Sequence, residues 1–334
     1  MAGLTLSGDW RDWLPIRVWR DADAWSVDWC HFGNRPLREP FFCDSVELAL
    51  RRPFNLAFRQ NTGMDALLEW QQRSPGLPPT AFILHASRCG STLMAQMLAR
   101  LDSHVVLSEP PPLDALLRAH HHDPAAAAWQ PARIRALLSA LAQSRQGGER
   151  ALVVKLDAWN IFELPLLRRC FPATPWIFLY RDPLEIAISQ LHSPGRHMVP
   201  GLIGASPLDM PAGQAASLSR PEFIARTLGS VLAAGFDHCA NHGGLAVNYT
   251  ELPQAVGGRL AGVLGLDASD AIIAQAGLHE HAKRRGELFE PDRERKRQAA
   301  DEATRTQVDR WAQTPYLALE KLRMQQCAAE ATPA

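Results

Sequence analysis

From residue 80 onward the chain alternates short, wholly apolar runs with helix-length segments, and that alternation restricts its fold more than any other feature. AFILH leads to STLMAQMLARL, VVLSE to PLDALLRAH and ARIRALLSALAQSR, ALVVKL to ELPLLRRC, and WIFLYR to PLEIAISQLH. Runs this short, with no polar alternation, fit strands buried on both faces, and the intervening helices supply the crossovers that parallel neighbours need. The expectation is an α/β fold, a three-layer parallel sheet flanked by helices. Further along, PEFIARTLGSVLAAGFDHCA and PQAVGGRLAGVLGL each predict a helix, LAVNYTEL a strand ending in a turn, and a terminal helix follows the charged stretch KRRGELFEPDRERKRQ.

Residues 1–78 differ. Six of the ten tryptophans fall here, and the partial alternation of IRVWRDADAWSVDWCHFG predicts short strands or a hairpin. DSVELALRR and MDALLEWQQR read as short helices, and SPGLPP breaks the chain before the first buried strand. The division expected is an N-terminal extension over 1–78, which packs on the main domain or helps shape an acceptor pocket, and a main domain over 79–325. No internal repeat is present.

Composition excludes more than it identifies. A formal net charge of zero argues against a general nucleic-acid or membrane-surface binder. The start MAGLTLSGDWRDWLP lacks a basic segment followed by an apolar run, and no stretch is long enough to span a bilayer. The six cysteines are scattered without a C-x-x-C pair, which fits reduced thiols in a cytoplasmic protein. Only four of the 35 basic residues are lysines, so Lys155 at the end of the apolar run ALVVK stands out.

Within TAFILHASRCGSTLMAQML, residues 80–98, an apolar strand passes through a turn of small residues into a helix beginning at Ser91 and Thr92. Backbone N–H groups at such a junction favour an anion, and the helix dipole adds to the attraction. Ser87, Gly90, Ser91 and Thr92 supply small residues and hydroxyls, and Arg88 supplies positive charge. An ordinary capped junction is the alternative. The nucleotide-kinase spelling G-x-x-x-x-G-K-[ST] would need glycine where His85 stands and lysine where Ser91 stands. Ligands of open parallel sheets sit at strand carboxyl ends, and His85 to Arg88, Glu109, Lys155 and Arg181 all fall there. Ser189 lies eight residues beyond Arg181, and Asp182 is placed to cap the helix between them.

The pair HASRCGSTL and YRDPLEIAISQ resembles the two nucleotide-binding motifs of the sulfotransferase family, which uses 3'-phosphoadenosine 5'-phosphosulfate (PAPS) and has a P-loop-type fold. The resemblance covers about residues 80–300. It implies that Ser87, Arg88, Cys89, Gly90, Ser91 and Thr92 hold the 5'-phosphosulfate and that Arg181 and Ser189 hold the 3'-phosphate. The catalytic residues are most like the tyrosylprotein-sulfotransferase-like branch, implying Glu109 as general base and Lys155 as a charge-stabilising residue with Arg88. VNYTEL places Tyr249 near the adenine, and HAKRRGELFEPDRERKR resembles a late loop closing over the nucleotide, pointing to Lys283, Arg284 and Arg285. The implied reaction takes PAPS as co-substrate, releases adenosine 3',5'-bisphosphate (PAP), needs no metal, and sulfates an acceptor whose identity the sequence does not reveal. The branch with a histidine base has no secure counterpart here. The first motif departs in Cys89 and Ser91, and RRG lacks that branch's full Gly-Asp signature.

Two other readings stand beside it: a P-loop kinase or phosphotransferase using ATP, and a catalytically silent nucleotide-binding protein. Taken singly, Glu109 also reads as a solvated acid before a proline run, and Lys155 as a surface amine on an edge strand. His120–His122 read as an exposed turn, since three adjacent residues cannot all face one ion. His192 and His197 flank SPGR in a loop that could touch the acceptor, and His192 is a reserve acid/base candidate. RERKR, 293–297, reads as a solvated helix face.

Overall fold

A computed structural model of the chain describes residues 8–22, 24–208, 210, 212–276 and 300–330. Among the described residues, eight strands form two sheets. β1 (Trp13–Asp21), β2 (Ala24–His31) and β3 (Gln60–Gly63) make an antiparallel sheet in the order β1-β2-β3. β4 (Pro79–His85), β5 (His104–Ser108), β6 (Ala151–Lys155), β7 (Trp176–Tyr180) and β8 (Leu245–Asn248) make a five-stranded sheet in the order β5-β6-β4-β7-β8. Every pairing in the larger sheet is parallel, as the unbroken apolar runs require. Every residue of β5, β6 and β7 is buried.

Helices flank this sheet, giving the expected α/β layers. Ser91–Ala99 follows β4, Pro183–His192 follows β7, and the 23-residue helix Arg220–His242 precedes β8. Asp182 caps the second of these by accepting from the Leu184 and Glu185 amides at 3.0 and 3.2 Å. The long helix lies close on the sheet because Gly235 has no side chain: a Cβ there would stand 2.2 Å from Phe178 Cε1 on β7. One apolar core runs through the molecule, from Leu14, Val27 and Trp29 of the antiparallel sheet to Phe82, Ile83, Leu84 and Phe178 of the parallel one. Each large side chain buried in it contributes roughly 1.5–3 kcal/mol.

Three details depart from the periodicity. The segment PQAVGGRLAGVLGL forms two short helices, Gln254–Gly257 and Ala261–Leu264, with a break at Gly258. The helix expected at ARIRALLSALAQSR begins earlier, at Ala126, and runs through Pro131 to Leu141. The terminal helix is two, Glu302–Trp311 and Gln313–Glu330. None of the helices among the described residues is long and apolar enough to cross a membrane.

The register aligns the strand ends that matter. Ser108 on β5 pairs with Lys155 on β6, Lys155 pairs with Ile83 on β4, and His85 pairs with Leu179 on β7. The chain leaves β4 toward β5 and leaves β7 toward β8 on the opposite side, so the strand order reverses between β4 and β7. A crevice forms at such a reversal.

Candidate functional site

The turn after β4 is held in an uncommon backbone. Ser87 and Arg88 have φ of 61° and 51°, and Gly90 has φ of 88°. A non-glycine residue in this left-handed region costs on the order of 1–3 kcal/mol and persists where its surroundings impose it, typically at ligand sites. Successive amides in such a turn can make an anion-binding concavity. At Gly90 a side chain is also excluded sterically, because a Cβ would meet Tyr249 Cδ2 at 2.7 Å. Ser91 and Thr92 open the helix and are buried. Cys89 departs from the expected cradle: its thiol is turned into the core against the Leu179 carbonyl at 3.1 Å, and burial pushes it up to about 12. Its side chain therefore serves packing, and only its backbone is left for a ligand.

The end of helix Pro183–His192 and the loop after it lace this turn in place. Gln190, fully buried, donates to Ser87 Oγ at 3.0 Å and accepts from the Gly195 amide at 2.7 Å. Arg88 donates to the Ser193 carbonyl, and to Ser193 Oγ at 3.0 Å. These bonds join segments about a hundred residues apart, and the sequence carried no signal for them.

Three strand ends converge beside the turn. Lys155 is fully buried, and its Nζ donates to Glu109 Oε1 at 2.6 Å and Ser108 Oγ at 3.3 Å. β6 lies between β5 and β4, so the reading of Lys155 as a surface amine on an edge strand is wrong. The Phe41 ring lies 4.8 Å from the same ammonium, and Ser108 Oγ donates to the Pro40 carbonyl at 2.8 Å. The N-terminal region thus reaches the cluster through Pro40 and Phe41, whereas Trp25 and Trp29 are bonded to Asp123 and Thr62.

Glu109, like Ser87 and Arg88, is a non-glycine residue with positive φ, at 52°. Its side chain is 23% exposed and lies 3.2 Å from His85 Nε2. Burial acts to raise its pKa, but Lys155 and then His85 outweigh that together and hold the carboxylate down at about 2. His85 accepts from the Ser87 amide through Nδ1 at 3.0 Å, so its other nitrogen carries the proton toward Glu109. Burial also lowers the His85 pKa, leaving the imidazole neutral at pH 7. Asp157, just beyond β6, has a carboxyl raised well above the usual range, by burial first and then by Glu109 and Asp114.

Arg181 sits differently. It is buried, both Nε and Nη2 reach Glu185 four residues on, and its guanidinium lies 4.2 Å from the centre of the Tyr249 ring. Ser189 is half-buried on the same helix. Lys283, Arg284 and Arg285, and the RERKR run, lie outside the described residues.

Two histidine expectations change. His192 is exposed, whereas His197 is buried and packs 5.6 Å from the Trp159 ring. Burial, then His85, holds the His197 pKa down at about 3, while Glu109 and Arg88 also act on it. The HHH run is not an exposed turn throughout, since His121 Nε2 lies 2.7 Å from the buried Glu163 and His120 Nε2 3.7 Å from it. This trio brings three donor atoms within 4.8 Å. Gln130 donates to His120 Nδ1 at 3.1 Å, however, which leaves the proton on the nitrogen that faces Glu163.

Sequence reasoning placed His85 at a strand end but gave it no role, and it missed Asp157, Glu185, Gln190 and Phe41. Only Glu185 had a usable signal, its position four residues after Arg181, in the first turn of the helix that Asp182 caps. The others come together through tertiary contacts.

No protein-family model matches this chain, and no curated protein matches it. Among solved structures it is similar to the sulfotransferase domain from the curacin biosynthetic pathway, at 17% identity and a TM-score of 0.41, over 75% of this chain and 98% of that one. It is also similar to the sulfotransferase domain from the Synechococcus PCC 7002 olefin synthase, at 19% identity and a TM-score of 0.38, over 76% and 96%. Neither likeness bears on the chemistry of the site.

Proposed function

We propose that the chain is a sulfotransferase that moves the sulfuryl group of PAPS to an acceptor hydroxyl and releases PAP. The observation that carries this reading is the pairing of a wholly buried Lys155 with Glu109 at 2.6 Å, beside an anion-type turn that contains no lysine. The turn amides with Ser91 and Thr92 would take the 5'-phosphosulfate. Arg88 and Lys155 would offset charge on the sulfuryl oxygens and the departing phosphate, each such donor being worth roughly 3 kcal/mol.

In the transfer, the acceptor oxygen forms a bond to sulfur as the bond from sulfur to the 5'-phosphate oxygen breaks. PAP keeps the electron pair, and the acceptor proton passes to Glu109. A carboxylate with a pKa of about 2 is a poor base while Lys155 grips it. Drawing the ammonium toward an incoming phosphosulfate would leave burial to dominate at Glu109 and raise its basicity. Engagement of the nucleotide and arming of the base then become one event. Tyr249 packs against both Gly90 and Arg181 and marks the nucleoside end, with Arg181 and Ser189 at the 3'-phosphate.

Thermal unfolding with PAPS, PAP and ATP–Mg²⁺ in parallel tests this reading on wild type and Arg181→Ala. A ligand at 100 times its Kd adds about 2.7 kcal/mol of stability. The expected result is stabilisation by PAPS and PAP that Arg181→Ala reduces. Stabilisation by ATP–Mg²⁺ alone would favour a kinase, and tight PAP binding without turnover of PAPS with any acceptor would favour a silent binding protein.

A further inference from the structure

Beside the strand-end cluster lies a pocket of ≈ 510 Å³, within the size range of small-molecule sites. Its apolar lining includes Val199, Ile203, Leu208, Met210 and Phe223, and no Asp, Glu, Lys or Arg lines it among the described residues. Among the described residues, His197 is its one ionisable lining residue. That ring is 5% exposed, and neither Nδ1 nor Nε2 has a hydrogen-bond partner among the described residues. Leaving such a buried polar atom unpaired costs roughly 1–3 kcal/mol, so the ring is poised to gain a partner. Gly195 makes room for it, since a Cβ there would stand 3.1 Å from His197 Cε1.

The loop that carries His197 into this pocket is bonded to the turn after β4. The loop bearing His197 is tied to Ser87 through Gln190 and Gly195, and to Arg88 through Ser193. The same imidazole lies within the electrostatic reach of His85, Glu109 and Arg88.

We propose that this pocket binds the acceptor, that the acceptor is an uncharged alcohol with an apolar body, and that His197 is the contact that holds its hydroxyl toward Glu109. The proposal rests on the sulfuryl-transfer reading for its reaction but not for its binding. A neutral imidazole offers one donor and one acceptor, which matches a hydroxyl. A carboxylate or phosphate would enter a lining with no cation to pair it, and a free sugar would leave most of its hydroxyls unpaired against apolar walls.

Calorimetry with 1-octanol, octanoate and glycerol as probes tests the assignment on wild type, Ile203→Trp and His197→Phe, in the presence and absence of PAP. Wild type is expected to bind 1-octanol at least about tenfold tighter than octanoate, with glycerol silent. Ile203→Trp, which fills the cavity, is expected to abolish 1-octanol binding. His197→Phe is expected to weaken it about tenfold and to narrow the preference over octanoate. Unchanged PAP affinity certifies that each variant folds. The proposal is overturned if wild type ignores 1-octanol, if both variants bind it as wild type does, or if octanoate or glycerol is preferred. If 1-octanol binds as described but PAP does not bind wild type, the alcohol pocket stands and the sulfuryl-transfer reading fails.

Discussion

The two ends of the parallel sheet offer the same ingredients, a buried strand-end cation beside a carboxylate, and arrange them to opposite effect. At β5, β6 and β4 the partners Lys155 and Glu109 come from different strands, and Glu109 remains 23% exposed toward the crevice. At β7 the partners Arg181 and Glu185 are four residues apart across one strand-to-helix junction, and both are almost wholly buried. A pair drawn from separate elements can be opened by a ligand without unwinding either. A pair buried where a strand turns directly into its helix is more a fixed strut, with its charge largely satisfied before any phosphate arrives. The first arrangement suits chemistry and the second suits shape.

Breaking the first pair should have the largest effect. Glu109→Gln removes the base and should slow sulfuryl transfer about 10²–10⁴-fold, read as kcat in a labelled-sulfate assay, while PAP binds no more weakly than to wild type. Lys155→Met should cost activity on the order of 10²–10³-fold. It also strands a partly buried carboxylate, so denaturant unfolding should report a loss of about 3 kcal/mol. A Lys155→Met protein of wild-type activity would remove the distinction between the two ends.

The pH dependence of stability sharpens the same contrast. The Glu109 pKa is depressed in the fold from 4.5 to about 2, so its contribution is complete above pH 4.5 and is lost as pH falls toward 2. His197 is depressed from 6.5 to about 3, so stability again falls with pH, but over the window from 6.5 down to 3. Lys155→Met should erase the lower window and His197→Asn the upper, as followed by urea unfolding at stepped pH. Identical acid profiles in both variants and wild type would contradict these environments.

At β7 the effects should be smaller and one of them opposite in sign. Glu185→Gln releases Arg181 from its carboxylate and should tighten PAP binding several-fold, a gain that the removal of a neighbouring anion makes natural. If the variant binds PAP more weakly, Glu185 orients Arg181 and does not restrain it. Gln190→Leu touches neither pair and should cost only stability, about 1–3 kcal/mol, by leaving Ser87 and the Gly195 amide short of a partner.

The sequence made the sheet legible because β4 to β7 are continuous apolar runs, and a strand's end is where its run stops. Glu109 and Lys155 could be named because each sits at such an end. What they do to one another could not, because their meeting depends on β6 lying between β5 and β4, and strand order leaves no trace in local periodicity. His85 was placed at a strand end and given no role, yet its ring lies 3.2 Å from the carboxylate. His197 looked like its exposed neighbour His192, since burial in a loop has no periodic signature. Arg181 was read as a ready phosphate ligand because its pairing with Glu185 went unweighed, although the four-residue spacing was in view.

The most direct test of the poised pair is the titration of the Glu109 carboxyl, followed by carbon NMR on glutamate-labelled protein with and without saturating PAP. The arrangement predicts a pKa of about 2 in the free protein and an upward move when PAP draws Lys155 away. A Glu109 pKa that PAP leaves unchanged, or that responds to ATP–Mg²⁺ and not to PAP, would contradict it.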